Sequence, residues 1–201
     1  MILGVDFDNT VVCYDHAFYQ GALAKGLIPP SIPQAKNEIR NYLRNTGQEE
    51  AWTELQGFVY GSCMHEAEPF PYVIEFFQKC REVGITVCII SHKTRYPYRG
   101  ERYDLHKAAS DWITRYNLFN GRSSDSVFLE LTKEKKIDRI KEQGCTHFID
   151  DLPEFLSEPA FPRDVQRILF DPHNLHNDSA VDFRVSSWSE LLTWLSEPNP
   201  A

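Results

Sequence analysis

The apolar positions of this chain follow two different periods. Short unbroken runs mark strands covered on both faces, and positions three or four apart mark helices that bury one side. The first run, Ile2-Leu3-Gly4-Val5, is a strand. From Tyr14 to Glu68 the pattern is helical: Ala17, Phe18, Ala22 and Leu23, then Ile39, Tyr42 and Leu43, then Trp52, Leu55, Val59 and Tyr60, with Pro29, Pro30 and Pro33 as breaks. Val73, Ile74, Phe76, Phe77, Cys80 and Val83 form an amphipathic helix. Pro71 suits its first turn, and Gly84 stops it. Strands are then expected at Ile85–Ile90, Val127–Leu131, Thr146–Ile149, Arg167–Phe170 and, as an edge, Phe183–Val185. Helices fall between them at 103–117 and from Thr132 to Gln143, and the last closes the chain at Trp188–Leu195. Asn120-Gly121 marks a turn, and the tail from Glu197 reads as frayed.

Strands alternating with helices predict an α/β protein: a Rossmann-like three-layer sandwich with a mostly parallel central sheet. Residues 14–68, helical throughout, read as an insertion after the first strand, either a small helical cap or a long helical crossover on the sheet face. With the insertion taken as a cap, the core comprises 1–13 and 69–197.

Polar residues gather where the strands end, which is where open parallel sheets bind ligands. Asp6 and Asp8 follow the first strand. Side chains two apart in an extended segment leave on the same side, so both carboxylates enter one cleft. Asp8, Asn9 or Thr10 capping a helix explains one acid but not two. A hard cation bound through oxygen explains both. The strand at 85–90 delivers Ser91-His92-Lys93-Thr94, then a loop carrying Arg95, Arg99 and Arg102. Each of these cations has a plain alternative as solvated surface charge. Thr132 looks like an N-cap, and Lys133, Lys135 and Lys136 in the first turns oppose the helix dipole. The strand at 146–149 runs into Asp150-Asp151.

Composition narrows the classes. The chain has 201 residues, 42% apolar and 25% charged, enough for one good core and a small module. A net charge of −8 argues against nucleic acid but not against small anions beside a metal. Five cysteines without a Cys-x-x-Cys read as free thiols in a reducing compartment, and no cluster has zinc spacing. The chain starts in a core strand with no leader-like segment, and no apolar run approaches a membrane span. A cytoplasmic protein is expected. Oligomeric state is not legible.

In order, Asp6-Phe7-Asp8-Asn9-Thr10, Ser91, the 133–136 lysines and Asp150-Asp151 resemble the four motifs of the haloacid dehalogenase-like (HAD) superfamily, in its phosphatase branch. The resemblance implies that Asp6 is a nucleophile forming an aspartyl-phosphate and that Asp8 is the acid and base. It implies that Ser91 and Lys136, with Lys133 as the alternative lysine, stabilise the phosphoryl oxygens. Mg2+ is then held by Asp6, the Asp8 carbonyl and Asp150, with Asp151 acting through water or on a neighbour. Thr10, His92, Lys93 and Arg95 are expected at the substrate. The implied activity is hydrolysis of a small metabolite's phosphate monoester, a sugar phosphate or a nucleotide. A phosphomutase and a non-catalytic binding protein of the same fold are the competing expectations.

Overall fold

The computed structural model describes residues 1–119, 126–176 and 181–196; Asn120-Gly121 and the tail from Glu197 lie outside these. In chain order the strands are β1 Ile2–Val5, β2 Val12–Cys13, β3 Glu68–Pro69, β4 Thr86–His92, β5 Ser126–Glu130, β6 His147–Asp150, β7 Gln166–Phe170 and β8 Phe183–Val185. The helices are α1 Asp15–Ala24, α2 Lys36–Asn45, α3 Glu49–Tyr60, α4 Val73–Glu82, α5 Leu105–Arg115, α6 Lys133–Glu142, α7 Pro153–Leu156 and α8 Trp188–Ser196. A 3-10 turn spans Met64–Glu66.

The chain divides into two compact units. The first is Met1–Val12, Pro69–His92 and Asn117–Ala201; the second is Cys13–Glu68 and Lys93–Tyr116.

The first unit is built on a six-stranded sheet in the order β5-β4-β1-β6-β7-β8, with parallel pairing throughout. Two helical layers cover it. On one face Ile137 and Ile140 of α6 and Phe155 and Leu156 of α7 pack on Cys88, Ile90, Phe148 and Leu169. On the other, Phe76 and Phe77 of α4 meet Trp188 of α8, whose ring lies 4.9 Å from Phe76 and 5.6 Å from Phe170. This is the three-layer α/β sandwich expected, and β2 and β3 pair as a separate small sheet. One boundary moves: Tyr72 takes a left-handed φ of 68°, so α4 begins at Val73 and Pro71 lies ahead of it rather than in its first turn.

The second unit is helical. Phe18, Trp52, Tyr14 and Tyr60 form its aromatic centre, with Phe18 stacked on Trp52 at 5.1 Å and Tyr14 edge-on to Tyr60 at 4.9 Å. It differs from the expected 14–68 insertion because residues 93–116, placed with the core from the sequence, pack here instead. The reason is local. A Cβ on Gly57 would lie 2.6 Å from Pro97, and one on Gly61 would lie 2.4 Å from Tyr103. Only glycines let the loop ahead of α5 settle this closely on α3. Trp112 of α5 then donates its indole N–H to the carbonyl of Ala67.

Candidate active site

The sheet order fixes where a site can form. Counting only its own six strands along the chain, the order is 3-2-1-4-5-6. The order reverses beside β1, so the carboxyl ends of β1 and β6 are the topological switch point, where open parallel sheets bind ligands. Asp6 follows β1, its N–H bonded to the carbonyl of Ile149, and Asp150 ends β6. Both carboxylates are buried.

Lys136 joins them. Thr132 caps α6 by accepting from Lys135 N–H, which sets the helix so that Lys136 faces inward. Its ammonium donates to Asp6 Oδ1 and Asp150 Oδ2, both at 2.6 Å, and lies 4.1 Å from the Phe155 ring centre. Asp150 Oδ1 accepts from Leu152 N–H. Burial alone lowers a lysine pKa. Here the charges of Asp150 and Asp6 outweigh it and raise that of Lys136, so the ammonium stays charged. Burial and the charge of Asp6 push the Asp150 carboxyl up to about 7, against the pull of Lys136. Lys133 and Lys135 are exposed.

Asp151, half-buried, completes a group of three: ligand oxygens of Asp6, Asp150 and Asp151 all lie within 4.8 Å of one another. With all three ionised, the carboxylates leave an excess of two negative charges over the one ammonium. An all-oxygen set with that excess fits a hard divalent cation. Asp8 contributes no carboxylate to this group. It is half-buried, and the left-handed Asn9 that follows it (φ 60°) turns the chain sharply away from β1.

The remaining nominated residues separate. Ser91 is buried in β4, beside β1. His92 ends that strand, and its ring bonds the Leu131 carbonyl. Burial, with Lys136 and Lys133 nearby, holds its pKa below the ordinary histidine range, against that bond and Asp6. Thr10 is fully buried, and its hydroxyl has no hydrogen-bond partner among the described residues. These belong to the first unit. Lys93 and Arg95 belong to the second. Lys93 is buried with its ammonium 4.8 Å from the Tyr60 ring centre. Arg95 donates to Asp104 at 2.7 Å, and Arg99 to Glu50 at 2.8 Å. Two supports of the site were not read from the sequence: the Leu131 carbonyl that holds His92, and the Trp188 indole that donates to the Thr10 carbonyl across 178 residues. No local pattern signals either one.

Comparison with known proteins gives the same architecture. No protein-family model matches the chain, and no curated protein matches its sequence. Solved structures do. A dehalogenase aligns over 98% of this chain and 97% of its own, at 12% identity and a TM-score of 0.59. YfnB of Bacillus subtilis, a HAD-type protein solved with magnesium, aligns over 98% of each chain at 12% identity and 0.54. CbbY of Rhodobacter sphaeroides, solved with phosphate, aligns over 94% of this chain and 95% of its own at 14% identity and 0.51. The protein is an α/β protein of the Rossmann-like class. Within that class its fold is haloacid dehalogenase-like.

Proposed function

We propose that the chain is a Mg2+-dependent hydrolase of phosphate monoesters, with Asp6 as its nucleophile. The observation that carries this reading is the buried Asp6–Lys136–Asp150 cluster beside Asp151, at the switch point of a parallel sheet. Asp6, Asp150 and Asp151 offer the carboxylates for the metal, and the backbone of Asp8 is the remaining expected ligand. Bound Mg2+ would supply charge neutralisation at the phosphoryl group.

The chain's own residues account for the steps. Lys136 holds one oxygen of Asp6, which orients the carboxylate. The other oxygen attacks phosphorus, and the bond from phosphorus to the leaving oxygen breaks. Asp8 gives its proton to that oxygen, then takes one from the water that attacks the aspartyl-phosphate. The bond between phosphorus and Asp6 breaks, phosphate leaves and Asp6 is restored. The Ser91 hydroxyl and the Lys136 ammonium are the groups assigned in this reading to stabilise the charge that develops on the equatorial oxygens. Thr10, with its unmatched hydroxyl, and His92, held neutral, are the substrate contacts proposed in this unit. Arg95, expected at the substrate, has its charge met by Asp104.

Asp8 favours phosphate esters over carbon–halogen bonds. Dehalogenation in the family the motifs resemble needs no acid two residues after the nucleophile. The substrate class proposed is a small phosphorylated metabolite. A screen of phosphorylated metabolites with Mg2+, run beside Asp6→Asn, tests the proposal. A few substrates hydrolysed by the wild type alone support it. Hydrolysis that persists in the variant, or none in either protein, overturns it.

A further inference from the structure

Helix α5 and its cap place two rows of residues four apart on one face: Asp104, Ala108 and Trp112, and Lys107, Asp111 and Arg115. Opposite them runs the segment that leaves α3, with Gly61, Ser62, Met64 and His65. Together with Tyr103 the two walls line a solvent-open cavity of about 390 Å³. That lies within the roughly 300–1,000 Å³ typical of small-molecule sites. Every lining residue belongs to the second unit, and none takes part in the carboxylate–lysine cluster.

The cavity is framed by specific contacts rather than left by loose packing. Arg115 Nη1 donates to the His65 carbonyl at 2.6 Å, and Trp112 Nε1 to the Ala67 carbonyl at 2.8 Å. Tyr103 hydrogen-bonds Ser62 and Glu101 and lies against Gly61. Both walls are thus fixed before any ligand arrives, which lowers the ordering cost of binding.

The lining sets the ligand's chemistry. Met64 and Trp112 are buried and give an apolar floor. Of the charged groups, Asp104 is paired with Arg95, and Lys107 with Asp111 at 2.5 Å. Arg115 differs: among the described residues its partners are the neutral His65 carbonyl and the Tyr116 ring, 5.5 Å away. One cation at the edge of an apolar floor suits a flat apolar body bearing one anionic group.

We propose that this cavity binds a small aromatic monoanion of the carboxylate type, with Arg115 taking the charge and Met64 and Trp112 the ring. It does not depend on the hydrolase reading. The test uses the full chain, labelled with ¹⁵N, and follows the Trp112 indole N–H resonance, assigned through Trp112→Phe. The probes are 2-naphthoate and its uncharged isostere 2-naphthamide. The expected result is a saturable shift with the carboxylate. Binding should be at least about tenfold weaker for the amide, and for the carboxylate on Arg115→Gln. Ala108→Phe, which fills the cavity, should abolish the shift. No shift with 2-naphthoate, equal binding of the two probes, or unchanged binding by Arg115→Gln overturns the proposal. Arg115 is exposed, so its variant decides the matter even if Ala108→Phe fails to fold.

Discussion

The chain carries two gatherings of charge, each following a strand of the sheet, and they are built in opposite ways. In the first unit Lys136, Asp6 and Asp150 are buried and touch at 2.6 Å. In the second, Arg95 and Arg99 reach Asp104 and Glu50 from exposed positions and hold a loop in place. In the sequence both look like candidate anion sites. The structure separates them by solvent. A buried charge has lost its hydration and must be compensated in place, so each partner constrains the others. An exposed pair exchanges one set of weak contacts for another. Under the function proposed above, chemistry falls to the first arrangement and scaffolding to the second.

The sharpest break in that comparison is Asp6→Asn, which should lower turnover on a hydrolysed substrate by on the order of 10⁴-fold with the fold intact by circular dichroism. Arg99→Gln should leave turnover on the same substrate within about twofold. Equal losses from both would erase the distinction.

Next in size is the loss of the shared cation. At pH 8, where Asp150 is ionised, Lys136→Met strands two buried carboxylates and should cost about 3–5 kcal/mol of stability in urea without metal. Adding Asp150→Asn to that variant should recover part of the loss, because one of the stranded charges is gone. Failure of the second substitution to help would mean that Lys136 acts through packing rather than charge.

The pH dependence sharpens the same point. Burial raises the Asp150 carboxyl from its ordinary 3.8 to about 7, so the folded chain keeps a proton that the unfolded chain releases. The resulting stability is complete below about 4 and is lost as pH rises through about 7. Metal-free protein should therefore melt lower at pH 8 than at pH 5, and Mg2+ should raise Tm more at pH 8. A Tm that is flat across this window, with equal Mg2+ effects at both ends, would contradict the burial argument.

The smallest effect should come from the clamp itself. Removing the Arg99–Glu50 pair should change stability by at most about 1 kcal/mol, and less as salt rises. A larger loss would show the loop to be more tightly coupled to its unit than its exposure suggests.

Much of the scaffold was legible because its signals are local. Apolar runs located β1, β4, β6 and β7 to within one or two residues, and Thr132 capped α6 as its position predicted. The nominated acids at 6, 150 and 151 come together because the strands that deliver them are neighbours. The sequence marked three lysines near the start of α6, and one helical turn decides which is buried. Other features were not legible. Periodicity shows that α5 has an apolar face but not which body that face packs on. The answer depends on the notch that Gly57 and Gly61 leave for residues 97 and 103. For the same reason, the partners of Arg95 and Arg99 could not be told from those of a substrate-binding loop.

The central claim is that Asp6 is phosphorylated during turnover. Acid-quenching the wild type during turnover on a hydrolysed ester with Mg2+, followed by mass spectrometry of the peptide carrying Asp6, tests this directly. The account predicts one added phosphoryl group on Asp6, absent without metal and absent in Asp6→Asn. Turnover with an unmodified Asp6, or a phosphoryl group on another residue, would contradict it.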